Sequence, residues 1–379
     1  MTREKISSIV SALVVGGGIG GMATAISLAE RGVKVDLIDL DPEWRVYGAG
    51  ITITGPTLRA YRRLGLLEPI KQAGAITNKT HLYRYDGTLL QTLDEPVIEE
   101  GLPATGGIMR PVLHRIMQKR VRELEIPVRL GLTVTALEED GTGVDVTFSD
   151  GTKGQFDLVV GADSVFSCVR DFAFPHMAPA VPTGQGCWRI SIRKPPGLDA
   201  GEFFLGHDNP CGITACSPDD VYMWMLTEHE EREEFMTDEE LYTTLKGLLA
   251  EFGGNAGWIR DHMTREDWIN YRPLAAALQP RPWYNGHMVL VGDAVHATTP
   301  HLASGAGMAV ESGIVLAEEL AKADTVQEGL QAYEDRRFDR CRDVIESSIG
   351  IGQLQLNHRP PEEHAALLEG ALHRLNQPF

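Results

Sequence analysis

No stretch of the 379-residue sequence approaches the roughly 18 uninterrupted apolar residues of a membrane-spanning helix, so no such helix is expected. Cysteine is scarce. The five thiols, Cys168, Cys187, Cys211, Cys216 and Cys341, are odd in number and irregular in spacing, which fits neither a disulfide framework nor a zinc site. No metal is expected. CGITAC has the Cys-x4-Cys spacing of a redox pair, but it lies in a β-rich stretch where residues five apart face opposite sides of a strand. Basic residues are also short: 35 Lys and Arg stand against 53 Asp and Glu, a formal charge of −18. That balance excludes a nucleic-acid partner, and it requires any anionic ligand to be held by local donors against the overall field. Internal repeats and low-complexity segments are absent. The opening MTREKISSIVSALVVGGG runs into a glycine turn with no small-residue cleavage site, so a cytoplasmic location is expected.

The sequence has ordinary soluble composition, 43% hydrophobic and 23% charged, and enough length for two domains. SIVSALVVGGGIGGMATAISLAERGVKVDLIDLD reads as strand, tight turn, helix and strand, with Gly32 closing the helix. PTLRAYRRLGLLEPI and RPVLHRIMQKRVREL carry helical spacing, each with proline near its start. VRLGLTV, VDVTFSDGT and QFDLVVGAD read as three short strands. From about residue 179 the texture becomes alternating and aromatic, in WRISIR, EFFLG, CGITAC and VYMWMLT, as in an antiparallel sheet. A charged helical stretch, EREEFMTDEELYTTLKGLLAEF, follows. HMVLVGDA then resumes the buried, parallel kind of strand, and AVESGIVLAEELAKA and EGLQAYEDRRFDRCRDVIESS read as long helices. The order is α/β, then β-rich, then α/β, as for a nucleotide domain interrupted by an insertion.

Gly16, Gly18 and Gly21 stand in GxGxxG register. The first permits a tight turn, the second lets backbone approach a pyrophosphate, and the third allows close helix–strand packing. The helix opening at Ile19 and Gly20 offers unpaired N–H groups to phosphate. Asp39, at the end of the following strand, is spaced to accept from a ribose diol. Two more strand ends carry polar turns. FDLVVGADSVFSCVR delivers Gly161 and Asp163, with Ser167 and Arg170 beyond. LVGDAVHATTPHLASGAGMAVES delivers Gly292 and Asp293, two histidines and a second glycine-punctuated turn.

These three motifs, in this order and at about these distances, resemble the single-component FAD-dependent aromatic hydroxylases of the p-hydroxybenzoate hydroxylase fold, the group A flavoprotein monooxygenases. The resemblance runs to about residue 345 and is nearest in flavour to hydroxynicotinate and alkylquinolone hydroxylases. It implies an α/β chain, α+β overall: a Rossmann-like, GR2-type FAD-binding domain of residues 1–75, 104–178 and 286–349. An antiparallel-sheet substrate domain of residues 76–103 and 179–285 interrupts it, and a helical tail spans 350–379. FAD would be held without a covalent bond by Gly16, Gly18, Ile19, Gly20, Gly21, Asp39, Gly50, Arg110, Asp163, Gly292 and Asp293. The segment Gly305, Ala306, Gly307 and Met308 would face the flavin ring, where a helix N-terminus stabilises developing negative charge by ~0.3–2 kcal/mol. Three positions depart from the family pattern: Ser164, Ser304 and Ser312.

The resemblance also implies chemistry. NADH or NADPH, without a domain of its own, reduces FAD, and O2 then forms a C4a-hydroperoxyflavin that attacks an electron-rich aromatic or heteroaromatic ring. A general base at the substrate hydroxyl would help by ~10²–10⁴-fold. His301, after Pro300, is the first candidate for base or substrate contact, against a histidine that only holds its loop. His296 reads as a packing residue, and Thr52 stands where some relatives carry a catalytic histidine. Tyr222 is a candidate donor. Trp188, Met223, Trp224, Met225 and Phe203–Phe204 are divided by strand alternation between a substrate floor and a core. Arg189 is a candidate partner for a substrate carboxylate, against a surface arginine. The protein is expected as a monomer or homodimer. Two other readings stay open: another flavin reductase, oxidase or halogenase on this fold, and a non-catalytic flavin-fold binding protein like the Rab escort and GDI proteins.

Overall fold

The structure is a computed structural model that describes residues 4–46, 48–229 and 235–379. The apolar run SALVV forms the strand Ser11–Val15, buried almost throughout. It lies inside a six-stranded sheet ordered Tyr284–Asn285, Met288–Leu290, Leu158–Gly161, Ser11–Val15, Lys34–Asp39 and Val128–Leu130. Ser11–Val15 pairs in parallel with Leu158–Gly161 on one side and Lys34–Asp39 on the other. Three motifs far apart in sequence therefore end side by side: the glycine turn after Val15, Asp39, and the turn after Gly161. Met288–Leu290 joins in parallel beyond and brings Gly292–Asp293 to the same edge. That carboxyl edge is where open α/β sheets take ligands.

The alternating segment forms a seven-stranded sheet in the order Trp268–Leu278, Val181–Arg193, Asp220–Glu228, Cys211–Ala215, Gly201–Leu205, Lys79–Arg84 and Leu89–Asp94. Register divides its residues by face. Trp188 opposes Met225 and Arg189 opposes Trp224. Trp188, Met223, Met225 and Phe204 join one core with residues of the helices Asp238–Leu248 and Gly254–His262. The other face carries Arg189, Tyr222, Trp224 and Phe203. It meets a small sheet of Gly50–Thr54, Thr105–Met109 and Ala75–Thr77. A Cβ on Gly50 would lie 2.2 Å from Cys216 Sγ and 2.5 Å from Tyr222 Cβ, so glycine is what lets the two sheets touch.

Several details differ from the sequence reading. VRLGLTV is two strands, Val128–Leu130 and Val134–Glu139, because Gly131 turns the chain at φ +68°. QFDLVV also splits, at Asp157, whose carboxylate accepts from Val10 N–H (2.7 Å) and Ser11 N–H (2.8 Å). Of the charged helical stretch, residues 230–234 lie outside the described residues. The helix itself is Asp238–Leu248, started by a capping box between Thr237 and Glu240. The boundary expected at 349–350 falls within one unbroken helix, Val326–Leu356, and a last helix, Pro361–Asn376, follows. All five cysteines are free. No helix among the described residues is long and apolar enough to cross a membrane, and no side-chain cluster there could hold a metal ion.

Candidate cofactor and substrate site

The first glycine turn is built by close approach. Gly16 has φ +105°, and a Cβ there would lie 2.4 Å from the Ala162 carbonyl oxygen. One on Gly21 would lie 1.8 Å from the Gly16 oxygen. A Cβ on Gly18 would meet nothing within 4 Å, so the space before it is open to a ligand. Ile19 opens the helix Ile19–Ala29, and a Cβ on Gly20 would lie 3.2 Å from Ala309 Cβ. Asp39 braces the turn, accepting from Gly17 N–H (2.7 Å) and Asp41 N–H (2.7 Å) while keeping lone pairs on both oxygens.

Sequence reasoning passed over Gly17, Trp44 and His114. Trp44 Nε1 donates to the Gly17 carbonyl at 2.9 Å and His114 Nε2 lies 3.2 Å from it. Burial lowers the His114 pKa, so the neutral ring with Nε2–H suits this contact. A Cβ on Gly17 would lie 2.4 Å from Trp44 Nε1. No spacing rule announces these contacts, because both partners come from elements outside the motif.

Asp163 sits beside the turn. Its Oδ2 accepts from Cys168 Sγ (3.1 Å) and Val169 N–H (3.2 Å), at the start of the helix Cys168–Ala173, and its Oδ1 is buried without a partner among the described residues. Ser164 adopts φ +73°, the left-handed conformation that the family's glycine supplies freely and that costs another residue roughly 1–2 kcal/mol. Its Oγ accepts from Phe166 N–H at 3.3 Å.

Gly292, at φ +63°, turns the chain so that Asp293 begins a short helix. The Asp293 side chain is water-accessible, yet protein surrounds it closely enough that desolvation raises its pKa, with Arg110 opposing. Both facts hold for a carboxylate lining a deep open cleft. Arg110 starts the helix Arg110–Glu123. Its guanidinium is lowered by burial and then by Arg189, while Tyr222, Asp293 and Tyr61 act the other way.

The helix Gly305–Lys322 presents its first N–H groups at Gly305, Ala306 and Gly307. Met308 is not a free donor, because its N–H closes the first turn on Ser304 O at 2.8 Å. Gly307 has a packing reason as well, since a Cβ there would lie 2.3 Å from Thr57 Oγ1. The Ser312 that departs from the family pattern is part of a strut: its Oγ meets His296 Nε2 at 2.8 Å and accepts from Arg337 Nε at 3.2 Å. Buried Glu311 takes Arg337 (2.8 Å) and Arg340 (2.8 and 2.9 Å). Burial alone would raise the Glu311 pKa, but the two guanidiniums hold it below its ordinary value. Arg337, unnoticed in the sequence, thus ties this helix to Val326–Leu356.

Pro300–Leu302 is a single 3-10 turn, and Ala303 after it has φ +47°. His301 Nδ1 bonds Thr299 Oγ1 at 2.8 Å, and its Nε2 is buried without a well-formed hydrogen bond, although Gln355 is near enough to raise the pKa slightly. Burial dominates and pushes the pKa down to about 4. A Cβ on Gly352 would lie within 3.1 Å of the ring, so His301 faces the long helix. His296 is buried beside Trp283, with a pKa pushed down to about 3 by burial. Thr52 Oγ1 pairs with Thr214 Oγ1 at 3.2 Å. Tyr222 is buried, its phenol raised to about 12 by burial, and it neighbours Arg189 and Arg110. The structure therefore gathers Arg110, Arg189, Tyr222 and Asp293, and packs His301 against Thr299 and Gly352.

FAD fits this constellation. Open space lies before Gly18, carboxylates with free lone pairs stand at Asp39 and Asp293, Arg110 has no carboxylate salt bridge among the described residues, and N–H groups are free at the 305–307 turn. An FAD-binding domain family matches residues 9–348. The chain is 31% identical to the putative FAD-dependent monooxygenase YetM of Bacillus subtilis, over 94% of this chain and 99% of that one. It is 30% identical to the 2-heptyl-3-hydroxy-4(1H)-quinolone synthase of Pseudomonas aeruginosa, over 91% and 89%. Klebsiella pneumoniae HpxO, solved with FAD and uric acid, shares the fold with a TM-score of 0.82, at 21% identity, over 98% of this chain and 93% of that one. The chain belongs to this FAD-binding family of flavin-dependent monooxygenases, and FAD is its cofactor.

Proposed function

We propose that the protein hydroxylates a small electron-rich aromatic or heteroaromatic compound, using NADH or NADPH as a transient reductant and O2. The observation that carries this reading is a juxtaposition: the sheet face bearing Tyr222 and Trp224 closes over Arg110 and Asp293. Aromatic side chains thus adjoin the residues that would hold the ribityl end of the cofactor. Phe203 packs against Trp224 with ring centroids 5.6 Å apart and extends the apolar floor. When bound, FAD supplies the redox chemistry, accepting hydride and activating O2.

The chain's own part is binding, water exclusion and proton control. Asp293 offers an acceptor to a ribityl hydroxyl, and the N-terminus of Gly305–Lys322 offers positive potential where the flavin ring gains negative charge. Tyr222, with its phenol raised to about 12, remains a hydrogen-bond donor through the neutral range. Thr52 cannot accept a proton near pH 7. His301, neutral but with a pKa near 4, is a weak acceptor there. The positive charge of Arg110 lowers the pKa of a nearby substrate hydroxyl directly, which favours the electron-rich anion without a strong base. His301 is then the residue that holds the loop against the long helix.

The test is NADH and NADPH consumption by the FAD-loaded enzyme across hydroxyarenes and hydroxyheteroarenes, with mass spectrometry of the products. At least one compound should both accelerate flavin reduction and gain one oxygen atom. Nucleotide consumption that yields only hydrogen peroxide with every compound would instead mark a reductase or oxidase.

A further inference from the structure

The first glycine turn contains three glycines in a row, Gly16, Gly17 and Gly18. Such a run is the most pliable backbone a chain can build, because no Cβ limits the rotation of its peptide planes. A phosphate cradle needs the opposite, N–H groups already aimed at the anion. In the structure Gly17 is held at both of its polar atoms. Its N–H donates to Asp39 Oδ2 at 2.7 Å, and its carbonyl meets Trp44 Nε1 at 2.9 Å and His114 Nε2 at 3.2 Å. The peptide between Gly17 and Gly18 is planar and trans, so a carbonyl held on one side turns the Gly18 N–H to the other. Among the described residues that N–H has no acceptor, and the space before Gly18 is open. The brace is itself fixed. Trp44 is buried in left-handed backbone at φ +50°, with its N–H on Asp41 O (3.1 Å) and its carbonyl accepting from Gln118 Nε2 (2.8 Å). Strained backbone of this kind persists only where the surroundings over-determine it. Arg122 lies over the indole, 5.6 Å from the ring centroid. His114, Gln118 and Arg122 fall four residues apart on the helix Arg110–Glu123, so one helix face addresses Trp44 and the turn together.

We infer that Trp44 and His114 are positioning residues for FAD, which lock the Gly17–Gly18 peptide so that the Gly18 N–H is aimed at the pyrophosphate before the cofactor arrives. Neither residue belongs to the glycine motif, and the motif alone does not set this direction. Without the two donors the Gly17 carbonyl is free to turn into the same open space, where its partial negative charge repels a phosphate. FAD then binds only the fraction of molecules with the N–H outward, and its apparent affinity falls by that fraction. The inference concerns the cofactor and is independent of which compound the enzyme oxidises.

The experiment strips FAD from the protein, follows its return by the change in flavin fluorescence, and records the phosphorus NMR spectrum of the FAD-saturated protein. Trp44→Phe keeps an aromatic ring and deletes the donor, and it should weaken FAD binding about 5- to 20-fold. Adding His114→Phe removes the second donor and should bring the loss beyond about 100-fold. Replacing that second change by His114→Gln, whose amide still donates, should recover most of the difference. At saturating FAD the pyrophosphate resonances of Trp44→Phe should shift while the flavin absorbance bands stay in place. General loosening of the fold would not confine its effect to the phosphates. Should the double variant fail to fold or to hold FAD, Trp44→Phe alone decides on both measurements. An affinity within about twofold of the native protein in Trp44→Phe overturns the inference. So do pyrophosphate resonances that do not move, whatever the affinity.

Discussion

His301 shows how a motif residue is read differently once its neighbours are known. In the sequence it follows Pro300 on the loop that leads to the helix expected to face the flavin, which is where a base would be sought. In the structure its Nδ1 is engaged by Thr299 and its ring lies against Gly352. Burial takes the pKa to about 4, so the ring is neutral across the working range and would not shape a pH profile near neutrality. We propose that its role is to position the loop. His301→Gln should therefore retain coupled product formation within about tenfold, keep the shape of the kcat/KM profile between pH 6 and 8, and unfold at lower temperature. A variant that holds FAD and is thermally intact, yet loses more than about a hundredfold in coupled hydroxylation, would return His301 to the chemistry.

At the scale of elements, the glycine turn, Asp39 and Asp293 were legible because each ends or closely follows a strand, and parallel pairing brings strand ends together. Strand alternation likewise separated Tyr222 and Trp224 from Met223 and Met225 once the register was known. The Arg337–Glu311 strut was not legible. Its two helices pack face to face, and no local pattern states which buried arginine meets which acid across 26 residues. Two guanidiniums converge on one carboxylate with almost no water nearby, so removing that carboxylate strands both charges. Glu311→Ala should cost about 3–5 kcal/mol in urea unfolding. Because the strut fixes the helix whose N-terminus is proposed to face the cofactor, FAD should also be released at lower urea than in the native protein. An unchanged unfolding midpoint would show that the strut is dispensable.

For the whole molecule, the −18 charge indicated only which partners to discard, and pH dependence is set by a few buried groups that composition does not reveal. His296 is the clearest: buried, bonded to Ser312, and depressed to about 3 from an unfolded value near 6.5. A depressed histidine contributes stability that is complete above the unfolded pKa. That stability is lost as pH falls through the window between the two values, because the unfolded chain binds the proton first. The slope is about 1.4 kcal/mol per pH unit within that window. Glu202 works in the opposite sense. Burial raises its pKa to about 7, Asn255 opposing through a 2.8 Å hydrogen bond, so its contribution is full below the unfolded value and disappears as pH rises through 7. Asp293, raised by desolvation, shares that sign. The net curve mixes all of them, and the separate terms emerge by difference. His296→Gln should flatten the acid-side loss of unfolding free energy between pH 6.5 and 4 by about 1.4 kcal/mol per unit. Glu202→Gln should steepen it across pH 4.5 to 7. Urea unfolding in enough salt to screen the surface carboxylates measures both. Parallel curves for His296→Gln and the native protein would mean that this histidine does not govern acid stability.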